Sequence, residues 1–315
     1  FKQKTAYEIA SCLVGSEMCI RDRSYRVHAA RLFMPTRLAY LGPTGTYGEQ
    51  AARALVQLEA MGDVHYVPCV GLRAVVEQLA SGMCDAAVVP IENSVEGGVT
   101  ATLDALWSHR DLCIRRALVL PIRHALLGQG DLSGINEVLS HPQALAQCSG
   151  WLAKHVPQAL QLPTSSTAEA ARLVVGSHFR AAIASRVAGN EHGLEELAYP
   201  VNDVAGNCTR FLLLKRGERH EQGSVASVAF SLHRNAPGAL LEALACLADR
   251  GLNMSRIESR PSKREFGEYV FFVDVDLPSN RAEALPELIA QLEPFCEHLA
   301  HFGAYPSTEL SDVST

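Results

Sequence analysis

The sequence predicts an α/β protein with two parallel sheets, followed by a smaller α+β unit of ferredoxin-like connectivity. Two observations carry this. From Leu38 onward, short apolar or β-branched runs alternate with helical patterns, as in parallel sheets built from strand–helix units. Beyond the charged stretch Arg216–Gly223 the order becomes β-α-β-β-α-β over about 80 residues.

In the first part, LAYLG from Leu38 reads as a strand, followed by a Gly-rich loop and a helix through EQAARALVQL. AAVVPIEN is a buried strand ending in polar residues, TATLDALW a helix, and RALVLPIRHALLG extended. EVLSHP ends a strand, QALAQCSGWLAKH is one helix, SSTAEAARLVV another, and AAIAS and TRFLLLK are strands. In the second part, VASVAFSL is a strand. A helix follows, with Pro237 near its first turn, a stripe of Leu240, Leu241, Leu244 and Leu247, and Gly251 as its stop. LNMSRIESRP is a strand. EYVFFVDVDL alternates, placing Val270, Phe272, Asp274 and Asp276 on one face and Phe271, Val273 and Val275 on the other. The helix RAEALPELIAQL and the strand HLAHFGAY complete the unit.

The domain expectation is a leader over 1–36 and a catalytic domain over 37–216, with one lobe at about 37–115 plus 205–216 and the other at about 116–204. A linker over 217–223, the ferredoxin-like unit over 224–306 and a tail over 307–315 complete it. In the leader, Cys12–Arg23 reads like a translated adaptor scar, and the native start is expected at Met34.

Hydrophobic residues make up 48% of the 315-residue chain and charged residues 20%, which is globular composition. A net charge of −6 without a Lys/Arg run excludes a nucleic-acid binder, and no apolar run is long enough to span a bilayer. The nine cysteines include no Cys-x-x-Cys pair, which argues against a zinc site or a disulfide framework and for the cytoplasm.

Ligands of open α/β sheets sit at the carboxyl ends of strands, and polar clusters fall there. GPTGTYG, with Thr46, matches neither a dinucleotide nor a P-loop fingerprint, so it is an ordinary turn or holds a small anion. In IENS, Glu92, Asn93 and Ser94 could meet a ligand hydroxyl, or Asn93 or Ser94 could cap a helix. Ser140-x-x-Gln143 fits a capping box, and Gln147 lies one turn on, either solvated or in the same cleft. Ser166-x-x-Glu169 is a second box, beside Thr167, with more hydroxyls than one cap needs. Asn207, Thr209, Arg210 and Phe211 open an apolar strand, with Thr209 and Arg210 on alternate sides.

In this order, the motifs resemble prephenate dehydratase fused to an ACT domain, from about Leu38 to Tyr305. The segments are Glu92-Asn93-Ser94, Ser140 to Gln143 with Gln147, Ser165 to Ala168, and Thr209-Arg210-Phe211 preceded by Asn207. Asn235-Ala236-Pro237-Gly238-Ala239-Leu240 and Glu258-Ser259-Arg260-Pro261 resemble the two phenylalanine-associated ACT signatures. One departure is Gly48, where the family often carries a hydroxyl residue.

The resemblance implies two lobes in the style of type II periplasmic binding proteins, closing on prephenate. The reaction is its conversion to phenylpyruvate, driven by aromatisation and requiring no redox cofactor or metal. It also implies feedback inhibition by L-phenylalanine through the ACT domain, and a homodimer or homotetramer free of membrane and nucleic acid. Thr209 would face the leaving hydroxyl and Arg210 a carboxylate. Glu92, Asn93, Ser94, Ser140, Gln147, Ser166, Thr167, Asn207, Phe211 and Thr46 would position substrate. Asn235, Pro237, Gly238, Ala239, Leu240, Glu258, Ser259 and Arg260 would hold phenylalanine. No chorismate mutase activity is expected. The alternatives are arogenate dehydratase and a non-catalytic sensor of amino acids or anions.

Overall fold

The computed structural model describes residues 35–278 and 284–310. The expected leader lies outside the described residues except at its end, where Thr36 already begins the first strand. The first lobe's sheet is built from β1 (Thr36–Leu41), β2 (Val64–Cys69), β3 (Ala86–Asn93), the short β4 (Gly97–Gly98), β5 (Leu112–Pro121), β11 (Cys208–Arg216) and β16 (Ser307–Glu309). Its order is β16-β5-β11-β3-β1-β2, with β4 paired to the end of β3. β11 runs antiparallel between β3 and β5, while β1 is parallel to both its neighbours. Helices α1 (Tyr47–Leu58), α2 (Leu72–Ala80) and α3 (Thr100–Ser108) cover it. β16 pairs in parallel with β5, so the stretch expected to be a tail is partly a strand of this lobe.

The second lobe has the order β10-β6-β9-β7-β8, from β6 (Ala125–Gly128), β7 (Glu137–Ser140), β8 (Leu160–Pro163), β9 (Arg180–Ala184) and β10 (Glu195–Ala198). The helical stretch after β7 is two helices, α4 (Pro142–Gln147) and α5 (Ser149–His155), where the sequence suggested one. The break falls at Cys148, and the Asp203 carboxylate accepts from the Gly150 and Trp151 N–H groups to start the second piece. α6 (Thr167–Leu173) and α7 (Arg186–His192) complete the lobe. The chain crosses between lobes at 122–124 and again at 199–207. The two crossings are stitched together by Ile122 N–H to Asn207 O and Val201 N–H to His124 O.

The third unit, β12 (Val225–Leu232), α8 (Ala239–Ala248), β13 (Asn253–Pro261), β14 (Tyr269–Asp276), α9 (Ala284–Leu292) and β15 (Cys296–Tyr305), has the expected ferredoxin-like order and a β13-β14-β12-β15 sheet. The alternation in β14 sorts its two sides. Val273 and Val275 join the core beneath α8 and α9, whereas Val270 and Phe272 pack with Ile91, Leu103, Ile114 and Leu212 of the first lobe. The open face of this sheet is therefore covered by the first lobe. In α8 the stripe differs from expectation: Ala243, Cys246 and Leu247 are buried, and Leu241 is 73% exposed. The connecting stretch is fastened by Arg219 donating to Arg110 O and by His220 O accepting from Ala304 N–H.

Candidate active site

The site starts from an irregularity in β3. Thr209 faces Asn93 and Arg210 faces Glu92, but Phe211 faces Pro90, so Ile91 is an extra residue on β3. A β-bulge of this kind resets the alternation of side chains. Upstream of it, Ala87, Val89 and Ile91 face the third unit. Downstream, Asn93 is re-aimed to the side of Thr209.

The Asn93 carboxamide is then fixed by its neighbours. Its Oδ1 accepts from the Val95 and Glu96 N–H groups, so Nδ2 is the donor toward Thr209 Oγ1 at 3.0 Å, Asn207 Oδ1 at 2.9 Å and Cys208 O at 3.1 Å. Asn93, Asn207 and Thr209 are all buried. Because the Thr209 oxygen accepts from Asn93, its own proton stays available to a ligand. Asn207 donates on to Gln147 Oε1 at 2.9 Å, and Gln147 donates to Glu96 at 3.3 Å, which joins α4 of the second lobe to the first.

Two further contacts close the lobes together. Ser185 caps α7 and donates to Gly45 O at 2.9 Å, and Tyr47 donates to Arg123 O at 2.7 Å. Sequence reasoning passed over His124, which lies on the first crossing inside an apolar run and has no motif around it. It is 3% exposed, and its ring lies edge-on to Tyr47 with Nδ1 3.3 Å from the phenol oxygen. Burial lowers its pKa from 6.5 to about 4, partly countered by a hydrogen bond with the Gln147 side chain. The unfolded imidazole therefore binds a proton near pH 6.5 that the folded one refuses until about pH 4. Stability falls as pH drops through that window and is unaffected by this group above it. Chemical denaturation at pH 7 and pH 5 should show wild type losing about 2 kcal/mol more than His124→Phe.

Arg210 is placed differently from its expected role as a carboxylate ligand. The alternation that points Thr209 into the cleft sends Arg210 to the opposite face. There it meets Asp274 of β14 at 3.1 Å and Glu92 at 3.6 Å. Glu92, opposite Arg210 in register, shares that face rather than the cleft. Phe211 is 3% exposed in the core with Tyr40 and Leu118, so it packs rather than binds.

Several hydroxyls expected at substrate are committed to the backbone. Ser140 donates to Ile183 O, leaving His141 as the cap of α4. Ser166 caps α6, Thr46 caps α1, and Ser94 accepts from Cys208 N–H. Thr167 opens α6 beside them, half-buried. At Gly48 an added Cβ would stand 2.7 Å from Leu41 O, so this loop path admits a hydroxyl side chain only if β1 shifts. Among the described residues no cluster of His, Cys, Asp and Glu could hold a metal ion.

The two segments that resemble ACT signatures lie toward one end of the third sheet, where Val270 pairs with both Ser231 and Arg260. Gly238, at a positive φ, caps α8 ahead of Ala239 and Leu240. Asn235, separated from Pro237 by Ala236, donates to Gly267 O at 3.0 Å. Glu258 and Arg260 face the first lobe, Glu258 against Gly98 and Arg260 paired with Asp104 of α3 at 3.2 Å. Ser259 between them is exposed.

A two-lobed α/β body with a polar network at its strand ends, capped by a ferredoxin-like unit that packs behind that network, defines a catalytic domain joined to a regulatory one. The chain belongs to the prephenate dehydratase family: that family's model matches residues 38–219, and the ACT domain model matches 226–293. It is 38% identical over 274 residues to the prephenate dehydratase of Amycolatopsis methanolica, covering 86% of this chain and 88% of that one. The Arthrobacter aurescens enzyme, solved in complex with L-Phe, superposes with a TM-score of 0.75 at 36% identity over 86% of this chain and 90% of that one. The Staphylococcus aureus enzyme gives 0.73 at 29% identity, covering 86% of this chain and all of its own.

Proposed function

We propose that the cleft at Asn93, Gln147, Asn207 and Thr209 carries out the family's reaction, the decarboxylating dehydration of prephenate to phenylpyruvate. The supporting observation is the Asn93-to-Thr209 hydrogen bond, which polarises the hydroxyl and leaves its proton for the leaving oxygen. The ring carboxylate departs as carbon dioxide, its bonding pair completes the aromatic ring, and the ring hydroxyl leaves with a proton as water. Asn207 and Gln147 hold the substrate between the lobes, and the hydroxyl-rich start of α6 at Thr167 serves the pyruvyl carboxylate. Orientation and preorganised dipoles are the main contributions, because aromatisation supplies the driving force.

L-Phenylalanine acts through the ACT domain at the Asn235–Leu240 turn and the Glu258–Arg260 strand, between two subunits. In the third sheet β13 is an edge strand, and Ile257 on it and Leu241 on α8 are both exposed. A second copy would cover both, since an exposed edge with apolar side chains invites pairing. Sedimentation should give about twice the mass of one chain, and Ile257→Lys with Leu241→Lys should yield monomers insensitive to phenylalanine. The free, mostly buried thiols agree with a cytoplasmic location.

The activity is tested by following phenylpyruvate formation from prephenate and from arogenate, with and without phenylalanine. Turnover of arogenate above that of prephenate overturns the substrate assignment. No turnover of either, with prephenate still binding, points to a sensor.

A further inference from the structure

We propose that Ser185 and Glu49 are positioning residues for the dehydration, gripping the backbone of Gly45 from opposite lobes so that the cleft is held closed on its substrate. The inference rests on the reading of that cleft as the prephenate site.

The loop 42–46 leaves the end of β1 in the first lobe, and Ser185 follows the end of β9 in the second. In the sheet, β1 is separated from β11 and Thr209 by β3 and Asn93, whereas the crossings leave from β5 and return into β11. The contact at Gly45 is therefore a further tie between the lobes, separate from the crossings themselves. Gly45 is held at both of its polar atoms. Its N–H donates to Glu49 Oε2 at 2.7 Å, and its carbonyl accepts from the Ser185 hydroxyl at 2.9 Å. Both side chains are buried and fixed by other partners. The second Glu49 oxygen accepts from Arg53 Nε at 2.9 Å and Nη2 at 2.6 Å. Ser185 Oγ accepts from Ala188 N–H at 3.1 Å, which leaves its one proton for Gly45.

The local sequence accounts for the arrangement. Thr46-x-x-Glu49 has the form of a capping box, in which the acid reaches back to the N-cap N–H. Here Thr46 caps α1, but the Glu49 carboxylate goes one residue further, to Gly45. The box thus fixes the loop that meets the second lobe. Gly45 has a φ of +77°, and an added Cβ would stand 3.0 Å from Glu191 Oε2 and 3.3 Å from Ala188. Glycine is what lets α7 approach this closely.

The expected signature lies in KM. A cleft that must close to bind loses apparent affinity in proportion to its closed fraction, while turnover of the bound complex is retained. Ser185→Gly removes the donor yet remains an acceptable helix cap. It should raise KM for prephenate about 3–10-fold, with kcat within about twofold of wild type. Glu49→Ala should raise KM about 3–5-fold, and E49Q, whose amide oxygen can still accept from Gly45, should return it to within about twofold. The double variant E49A/S185G should match S185G, because Glu49 acts only through the backbone that Ser185 holds.

The inference is overturned if KM of S185G stays within about twofold of wild type, or if the two KM effects multiply in the double variant. It is equally overturned if the loss falls on kcat alone with KM unchanged, as a smaller folded fraction would give. Should S185G not fold, Gly45→Ala wedges α7 away from the same loop and should give the same rise in KM. If neither folds, the tie is a structural element only and the inference fails. Equilibrium binding of prephenate to T209V, with and without S185G, separates the two readings. Equal affinities remove the role of Ser185 and leave the reaction in place, whereas an active T209V removes the site itself and the inference with it.

Discussion

Thr209→Val should abolish most of the turnover, with kcat down roughly 10²–10⁴-fold, while prephenate still binds. Valine has nearly the shape of threonine, so the strand and its packing are retained and the change is confined to one hydroxyl. Two losses add. The leaving oxygen has no donor, and the Asn93 amide, aimed at 3.0 Å, loses its acceptor. The second loss is worth about 1 kcal/mol in stability. The first falls on the transition state, where charge builds on the departing oxygen, and a 10²–10⁴-fold effect corresponds to about 2.7–5.5 kcal/mol. Thr209→Ser restores the hydroxyl and should recover kcat to within about tenfold. Equilibrium binding of prephenate to T209V, set against its kcat, is the check. Normal kcat would remove Thr209 from the chemistry, and lost binding would make it a ligand contact only.

How far the site was legible in the sequence depended on which features are local. The two α/β lobes and the β-α-β-β-α-β unit follow from period and punctuation, and both are present. Thr209, Asn207, Asn93 and Gln147 come from strand and helix ends, where ligands of such sheets gather. The bulge at Ile91 was not legible, because nothing in AAVVPIEN distinguishes a regular strand from one with an extra residue. It is what puts Asn93 beside Thr209 and leaves Glu92 behind. Arg210 could have been assigned to the far face by alternation with Thr209, but its partner Asp274 lies 64 residues away in another domain. His124 carries no motif, since its significance comes only from where two crossings between lobes meet. Hydroxyls such as Ser140 and Thr46 were ambiguous because a cap or backbone contact and a ligand contact use the same residue types at helix starts.

Asp274→Asn should destabilise the protein by about 3–5 kcal/mol, because it removes the one carboxylate that both Arg210 and Arg256 share. Asp274 and Arg256 are almost fully enclosed between the ACT sheet and the first lobe, where the Ser227 hydroxyl donates to Asp274 and is itself hydrogen-bonded to the Tyr305 hydroxyl. Neutralising the acid leaves two guanidinium groups facing each other with only Glu92, 3.6 Å from Arg210, to offset them. Like charges in that setting force the domains apart or one arginine into solvent. A second change in the same background is diagnostic. Adding Arg256→Met replaces the orphaned charge with an apolar side chain of similar length, and should recover most of the loss if the cost is electrostatic. Denaturation midpoints of D274N, R256M and the double variant test this. Simple addition of the two losses would show that the carboxylate contributes by packing instead. Because Arg210 is adjacent to Thr209 on β11, whatever shifts Asp274 also pulls on the strand that carries the reacting hydroxyl. Phenylalanine inhibition of D274N, measured below its melting range, should therefore weaken together with its stability. An ACT sheet that communicated only through α3, where Arg260 meets Asp104, would leave that inhibition intact.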